Sequence, residues 1–247
     1  MQSIQTVSEN TIYVGASDRR LAKFENLFPI PRGVSYNAYV ILDEKTALLD
    51  TADASVGAQF LENVAAALDG RKLDYLIVDH MEPDHAAMIE AVLVRWPDLR
   101  LVVNAKTLPM LKMYFPTDSA AIDDALVVKE GDTLDLGKHK LTFVMVHWPE
   151  VMMTFDTTTG TLFSADAFGT FGALEGALFA DEVDFAGKWL DDARRYYTNI
   201  VGKYGVQVQA VLKKAATLPI ETIAPLHGPV WRKNLGWFIG KYDLWSR

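Results

Sequence analysis

The chain has 247 residues, half of them hydrophobic and 23% charged, with no cysteine and a net charge of −8. This composition excludes a disordered chain and, because no apolar run approaches the ~20 residues of a spanning helix, a membrane-embedded one. Without thiols there is no disulfide framework and no thiolate metal ligand, and an acidic chain with scattered lysines and arginines lacks the basic surface that nucleic acid requires.

The N-terminal segment, MQSIQTVSENTIYVGASDRR, has no basic region followed by an apolar one, so no secretory leader is expected and the cytoplasm is the expected compartment. Thr11 to Val14, Tyr36 to Leu42 and Thr46 to Asp50 read as meander strands, with the two-proline loop FPIPRG before the second. A helix is predicted over Val56 to Gly70, with Gly70 as its stop. Tyr75 to Val78 then reads as a buried strand and Ala86 to Trp96 as an amphipathic helix, and between them lies the sequence HMEPDH, His80 to His85. A strand over Leu99 to Asn104 and a helix near Leu108 to Tyr114 follow. From Ala125 the chain turns strand-rich again, and VMMTFDTTTGTLFSAD reads as two apolar runs joined by a Thr-rich turn ending in Gly160. Helices are predicted over Phe185 to Val201 and Gln207 to Ala216, then a short strand Thr222 to Ala224 and a closing aromatic helix, NLGWFIGKYDLW. No linker, charge run or repeat interrupts this order. One domain over residues 1–247 is therefore expected, of α+β class, with two sheets packed face to face and helices outside.

Four of the five histidines stand where a strand gives way to a loop: His80, His85, His147 in FVMVHWPE and His227 in IAPLHGPVW. The fifth, His139 in LGKHKL, lies between lysines at a turn and reads as solvated. One strand-end histidine is most often structural; four of them beside carboxylates point to metal. Asp166 in TLFSADAFGTFG also ends a strand, flanked by small residues and glycines that let backbone approach an ion, although an Asx turn would need the same residue. Strict alternation places His80, Glu82 and Asp84 on one side of an extended segment, while His85 opens the helix. The seven N and O donors exceed one four-coordinate structural site and divide into two sets of three around a bridging carboxylate. The bland counterpart is that Glu82 and Asp84 only support their neighbours, Asp84 by capping the following helix.

The series HMEPDH, then His147, Asp166 and His227, resembles the H-x-E-x-D-H…H…D…H metal motif of the flavodiiron proteins, a branch of the metallo-β-lactamase superfamily. The spacings are similar too, with 61, 18 and 60 residues separating His85, His147, Asp166 and His227. The resemblance extends through FENLFPIPRGVSYNAYVI, LLDTAD, LFSADAFGTFGAL and ARRYYTNI. It implies an αββα sandwich and a diiron centre with a bridging oxygen species. One iron would take His80, Glu82 and His147, the other Asp84, His85 and His227, with Asp166 between them. By the same resemblance Asp50 in LLDT supports the site loop through hydrogen bonds, Tyr196 and Tyr197 place an aromatic near the irons, and Phe24 and Glu25 line the pocket. Superfamily hydrolases typically carry histidine where this chain has Glu82, and a carboxylate there hardens the site toward redox-active iron.

Flavodiiron proteins continue into a flavodoxin-like module, whereas this sequence stops at KYDLWSR and has no Gly/Ser/Thr-rich phosphate loop after a strand, so no flavin is expected. The resemblance then runs best to stand-alone oxygen-binding diiron proteins associated with oxygen sensing in bacterial chemotaxis. The leading expectation is a sensor that binds O2, or NO, and signals to a partner protein. The alternative is an O2 or NO reductase, an oxidoreductase fed by a separate electron-transfer protein; a zinc hydrolase is the lesser alternative. A homodimer is also expected, for which the aromatics of GWFIGKYDLW offer a surface if they do not pack inward.

Overall fold

A computed structural model describes residues 3–116, 119–146 and 149–247, so His147 lies outside the described residues. The chain divides into two compact units, one of Met1–Ala16 with Tyr36–Thr159, the other of Ser17–Ser35 with Gly160–Arg247. No helix among the described residues is long and apolar enough to cross a membrane.

In the first unit a seven-stranded mixed sheet runs in the order Gln5–Ser8, Thr11–Tyr13, Tyr39–Leu42, Thr46–Leu49, Tyr75–Ile77, Arg100–Asn104, Leu126–Val128. The first four strands pair antiparallel, and from Thr46–Leu49 onward every pairing is parallel. Parallel strands require crossovers, which the helices Gly57–Leu68, Ile89–Arg95 and Thr107–Tyr114 supply. Thr46–Leu49 is buried at every position, as expected of a strand covered on both faces. The helix Gly57–Leu68 buries Phe60, Val64, Ala67 and Leu68 and stops at Asp69 and Gly70, both at positive φ. Its buried Asn63 donates from Nδ2 to the Val14 and Gly15 carbonyls, satisfying a polar group that would otherwise be costly. Because the parallel strands share a direction, the loops at their carboxyl ends gather along one edge, where open sheets of this kind place their ligands. Asp50, His80 and Asn104 stand at that edge.

The same unit carries three consecutive antiparallel strands, Thr133–Asp135, Lys140–Met145 and Met152–Asp156. Here the expectation for His139 is corrected. It is 1% exposed, its Nδ1 lies 2.8 Å from Asp156 Oδ2, and its backbone N–H donates to Asp43 Oδ2. The reason is strand alternation: His139 and Leu141 face inward, while Lys138 and Lys140 between and before them face solvent. Asp156 is held further by Thr158 N–H and Thr159 Oγ1.

In the second unit Thr161–Phe163 pairs parallel with Thr222–Ala224. The expected helix from Phe185 to Val201 is broken into Phe185–Lys188, Leu190–Tyr196 and a π turn at Tyr197–Val201. Gly205–Ala215 and Leu235–Trp245 complete the helices. The core of this unit is aromatic, with Trp231 and Phe238 stacked at 4.2 Å and Phe185 edge-on to Trp231 at 4.6 Å.

Replacing His139 with alanine should lower stability by about 3 kcal/mol, since it leaves the buried Asp156 Oδ2 without its hydrogen bond to the ring. Urea denaturation of the two proteins, at matched slope, measures this.

Candidate metal centre

The strand Tyr75–Ile77 delivers the chain into Val78, Asp79 and His80, and the next strand end, Asp50, fixes where they go. Asp50 adopts φ +55, which turns its carboxylate back over the loop, and Oδ1 accepts from the N–H groups of Asp79 at 2.9 Å and His80 at 3.2 Å. Asp79 is tied in turn by Thr154, whose Oγ1 donates to Asp79 Oδ1, and by Met152, whose N–H donates to its carbonyl. Burial pushes the Asp50 carboxyl up to about 7, against the lowering effect of His85 and His80, and pushes that of Asp79 well above the carboxylate range, where the Asp50 charge adds to the rise.

The His80 ring is fixed from behind by Glu150, a residue the sequence reading missed. Glu150 Oε1 lies 2.7 Å from Nδ1 and also accepts the Met81 N–H. Burial alone would raise the Glu150 carboxyl, but the hydrogen bonds from His80 and Met81 outweigh it and hold it below its ordinary range. An ionised carboxylate at Nδ1 holds the proton there, so that a neutral ring presents its lone pair on Nε2. That Nε2 lies 3.0 Å from Glu82 Oε2. The only sequence signal for Glu150 was an acidic residue three positions beyond His147.

Pro83 starts a helical turn, Pro83–Ala86, with Glu82 still extended. This corrects the reading in which the helix began at Ala86 and Asp84 shared a side with His80: the fixed φ of proline admits the first helical turn and ends the alternation at Glu82. Asp84 and His85 therefore sit on the turn, with His85 Nε2 3.4 Å from Asp84 Oδ2. The His85 carbonyl accepts from both N–H and Oγ1 of Thr51, the residue after Asp50. His80 and His85, both buried, have ring centroids 5.9 Å apart.

The second unit brings Asp166 and His227 together, with His227 Nε2 3.7 Å from Asp166 Oδ1. The Nδ1–H of His227 donates to the Ser35 carbonyl at 2.7 Å, again assigning the lone pair to Nε2. Asp166 is presented by a tight turn with Ala165 and Phe168 at positive φ, a conformation rare outside glycine and concentrated at functional sites. Gly228, at φ +76, admits no side chain, since a Cβ would meet Thr170 at 2.1 Å. The rings of Phe24 and Tyr196 lie 5.4 and 5.3 Å from that of His227, and Phe171 packs on both. Glu25 is exposed, and Tyr197 turns instead toward Tyr242 and Trp245.

His80, His85 and His227 thus each have Nε2 3.0–3.7 Å from a carboxylate oxygen. The two longer separations exceed hydrogen-bonding range. Two donors each ~2.1 Å from one cation lie ~3.0 Å apart at a right angle and ~3.4 Å at a tetrahedral one, so the pairs have the spacing of co-ligands. The donor set, imidazole and carboxylate without sulfur, suits iron, manganese or zinc.

The family model described as ODP family beta lactamase matches residues 34–228. A protein of Moorella thermoacetica named nitric oxide reductase is 36% identical, aligned over 97% of this chain and 60% of its own length. Among solved structures, the flavodiiron protein from Giardia intestinalis superposes with a TM-score of 0.92 at 29% identity, covering all of this chain and 60% of that one. Rubredoxin oxygen:oxidoreductase from Desulfovibrio gigas gives 0.90 at 30% identity, covering 98% and 61%. This chain spans about 60% of the length of each of these relatives. The chain belongs to the ODP beta-lactamase family and has the α+β, metallo-β-lactamase-like fold of the flavodiiron core.

Proposed function

We propose that the chain holds two iron ions and reduces a diatomic substrate, NO or O2, with electrons delivered by a redox partner. In this reading His80, Glu82 and His147 hold one iron, Asp84, His85 and His227 the other, and Asp166 bridges them. The observation that carries it is the His80 arrangement, in which Glu150 Oε1 lies 2.7 Å from Nδ1 and Nε2 is turned toward Glu82 Oε2 at 3.0 Å. An imidazole so oriented is a metal ligand held in its binding tautomer. Glu82 in place of a nitrogen donor favours an ion that cycles between ferrous and ferric states.

Bound irons would supply two electrons to a diatomic ligand. The protein's own part is orientation and exclusion. Asp50 sets the direction of His80 through its backbone, and Thr51 sets that of His85. Phe24, Phe171 and Tyr196 surround the His227 ring with apolar surface that keeps water away from it. The Glu82 side chain, 33% exposed, leaves an approach on its own side.

The relatives named nitric oxide reductase and rubredoxin oxygen:oxidoreductase weigh toward reduction over the O2-sensing reading drawn from the sequence. Hydrolysis on zinc is disfavoured by Glu82.

Anaerobic reconstitution followed by elemental analysis should give two irons per chain, and Glu82→His should shift retention from iron toward zinc; equal iron retention in the variant contradicts the argument from ligand hardness. Glu150→Ala should weaken iron binding roughly 10- to 100-fold, with Glu150→Gln falling between, as measured by chelator competition. Supplied with a reductant and a separate flavoprotein or rubredoxin, the iron-loaded protein should consume NO or O2 over many turnovers at an electrode; a single uptake of O2 with no turnover from any donor would return the sensor reading.

A further inference from the structure

The aromatic core of the second unit is continuous from the neighbourhood of Asp166 to solvent. Phe168, two residues beyond Asp166, lies 4.5 Å from Tyr242 between ring centroids. Tyr242 lies 5.5 Å from Phe238, Phe238 stacks on Trp231 at 4.2 Å with planes 11° apart, and Trp231 lies 6.2 Å from Trp237. The four inner rings are at most 3% exposed, whereas Trp237 is 41% exposed. Packing alone explains a cluster of large apolar rings. It does not call for indoles and a phenol in ring-to-ring series with the last indole in water. Tryptophan and tyrosine are the side chains, besides cysteine, that most readily give up one electron, and this chain has no cysteine.

We propose that Tyr242, Trp231 and Trp237, bridged by Phe238, form a relay that carries oxidising equivalents from the metal centre to the surface. The relay rests on the two-iron reading above. Complete reduction of O2 takes four electrons and two ferrous ions would supply two, so a turnover short of donor would leave at the site an oxidant two electrons short of water, able to take them one at a time. In the net step that oxidant gains one electron and Trp237 loses one, with the indole proton passing to solvent water. Tyr242 and Trp231 each lose and regain an electron and end unchanged. A cellular thiol then returns one electron and one proton to Trp237, and two thiyl radicals combine as a disulfide. The arrangement spares the ligands by moving damage to a residue that solvent reductants reach.

The absence of cysteine lets a single introduced thiol, Lys241→Cys, carry a ruthenium polypyridyl photo-oxidant beside Trp237, whose ring centroid lies 5.2 Å from Lys241 Nζ. Flash oxidation of the metal-free protein should give a tryptophanyl absorption followed by a tyrosyl one, with the tyrosyl signal falling several-fold in Tyr242→Phe and in Trp231→Phe. An oxidation confined to Trp237, or a tyrosyl signal unchanged in both variants, overturns the relay whatever metal the protein binds. In the iron-loaded protein, repeated exposure to O2 without donor should oxidise Trp237, read by mass spectrometry of its peptide, and Trp231→Phe should reduce that product several-fold. Unchanged Trp237 oxidation in Trp231→Phe means attack from solvent and overturns the relay. A protein that moves photochemical holes inward yet retains no iron overturns the two-iron reading, not the relay.

Discussion

The carboxylate of Asp50 is the constraint on which the site loop depends. By accepting the N–H groups of Asp79 and His80, it fixes the backbone just beyond the end of a parallel strand. Glu150 completes the restraint by holding the ring of the same histidine. A ligand clamped at both backbone and imidazole loses little further freedom on meeting a metal, which is how a protein raises affinity without adding donors. Both clamping carboxylates are buried, so the arrangement costs desolvation free energy that the hydrogen bonds, and a bound cation, offset.

The candidate ligands of the two units are held differently. The first supplies His80, Glu82, Asp84 and His85 within six residues, on one loop and one helical turn separated by Pro83. The second supplies Asp166 and His227 from loops far apart in sequence, each held by a special backbone geometry: positive φ on either side of Asp166, and a Gly228 with no room for a side chain. Strain of this kind persists only where surrounding structure over-determines it. The Ser35 carbonyl plays for His227 the part that Glu150 plays for His80, so two histidines in different units reach the same tautomer by different hydrogen-bond partners.

Much of this was legible in the sequence, and the reasons for what was not are physical. Short apolar runs without alternation at 46–49, 75–77 and 222–224 marked the strands because both faces are largely buried there. The strand-end histidines stood out because imidazoles beside carboxylates at the ends of apolar runs have few uses other than metal. Glu150 was not legible, because a lone acidic residue in a loop gives no sign that it will be buried against a ring 70 positions earlier. His139 misled for the opposite reason: its lysine neighbours suggested solvent, yet alternation sends adjacent residues to opposite faces and put the histidine inside against Asp156. The helix from Phe185 onward was legible as apolar periodicity, but the π turn at Tyr197–Val201 leaves no mark in that pattern.

The central claim is that the histidines and carboxylates serve a pair of irons and not one ion. Mössbauer spectroscopy of protein reconstituted with iron-57 tests it most directly. The account predicts that the reduced protein shows high-spin ferrous iron in two N/O environments of equal area, and that mild oxidation converts both to ferric iron coupled to a diamagnetic ground state. A single ferrous species at one iron per chain, or uncoupled ferric iron after oxidation, would contradict it.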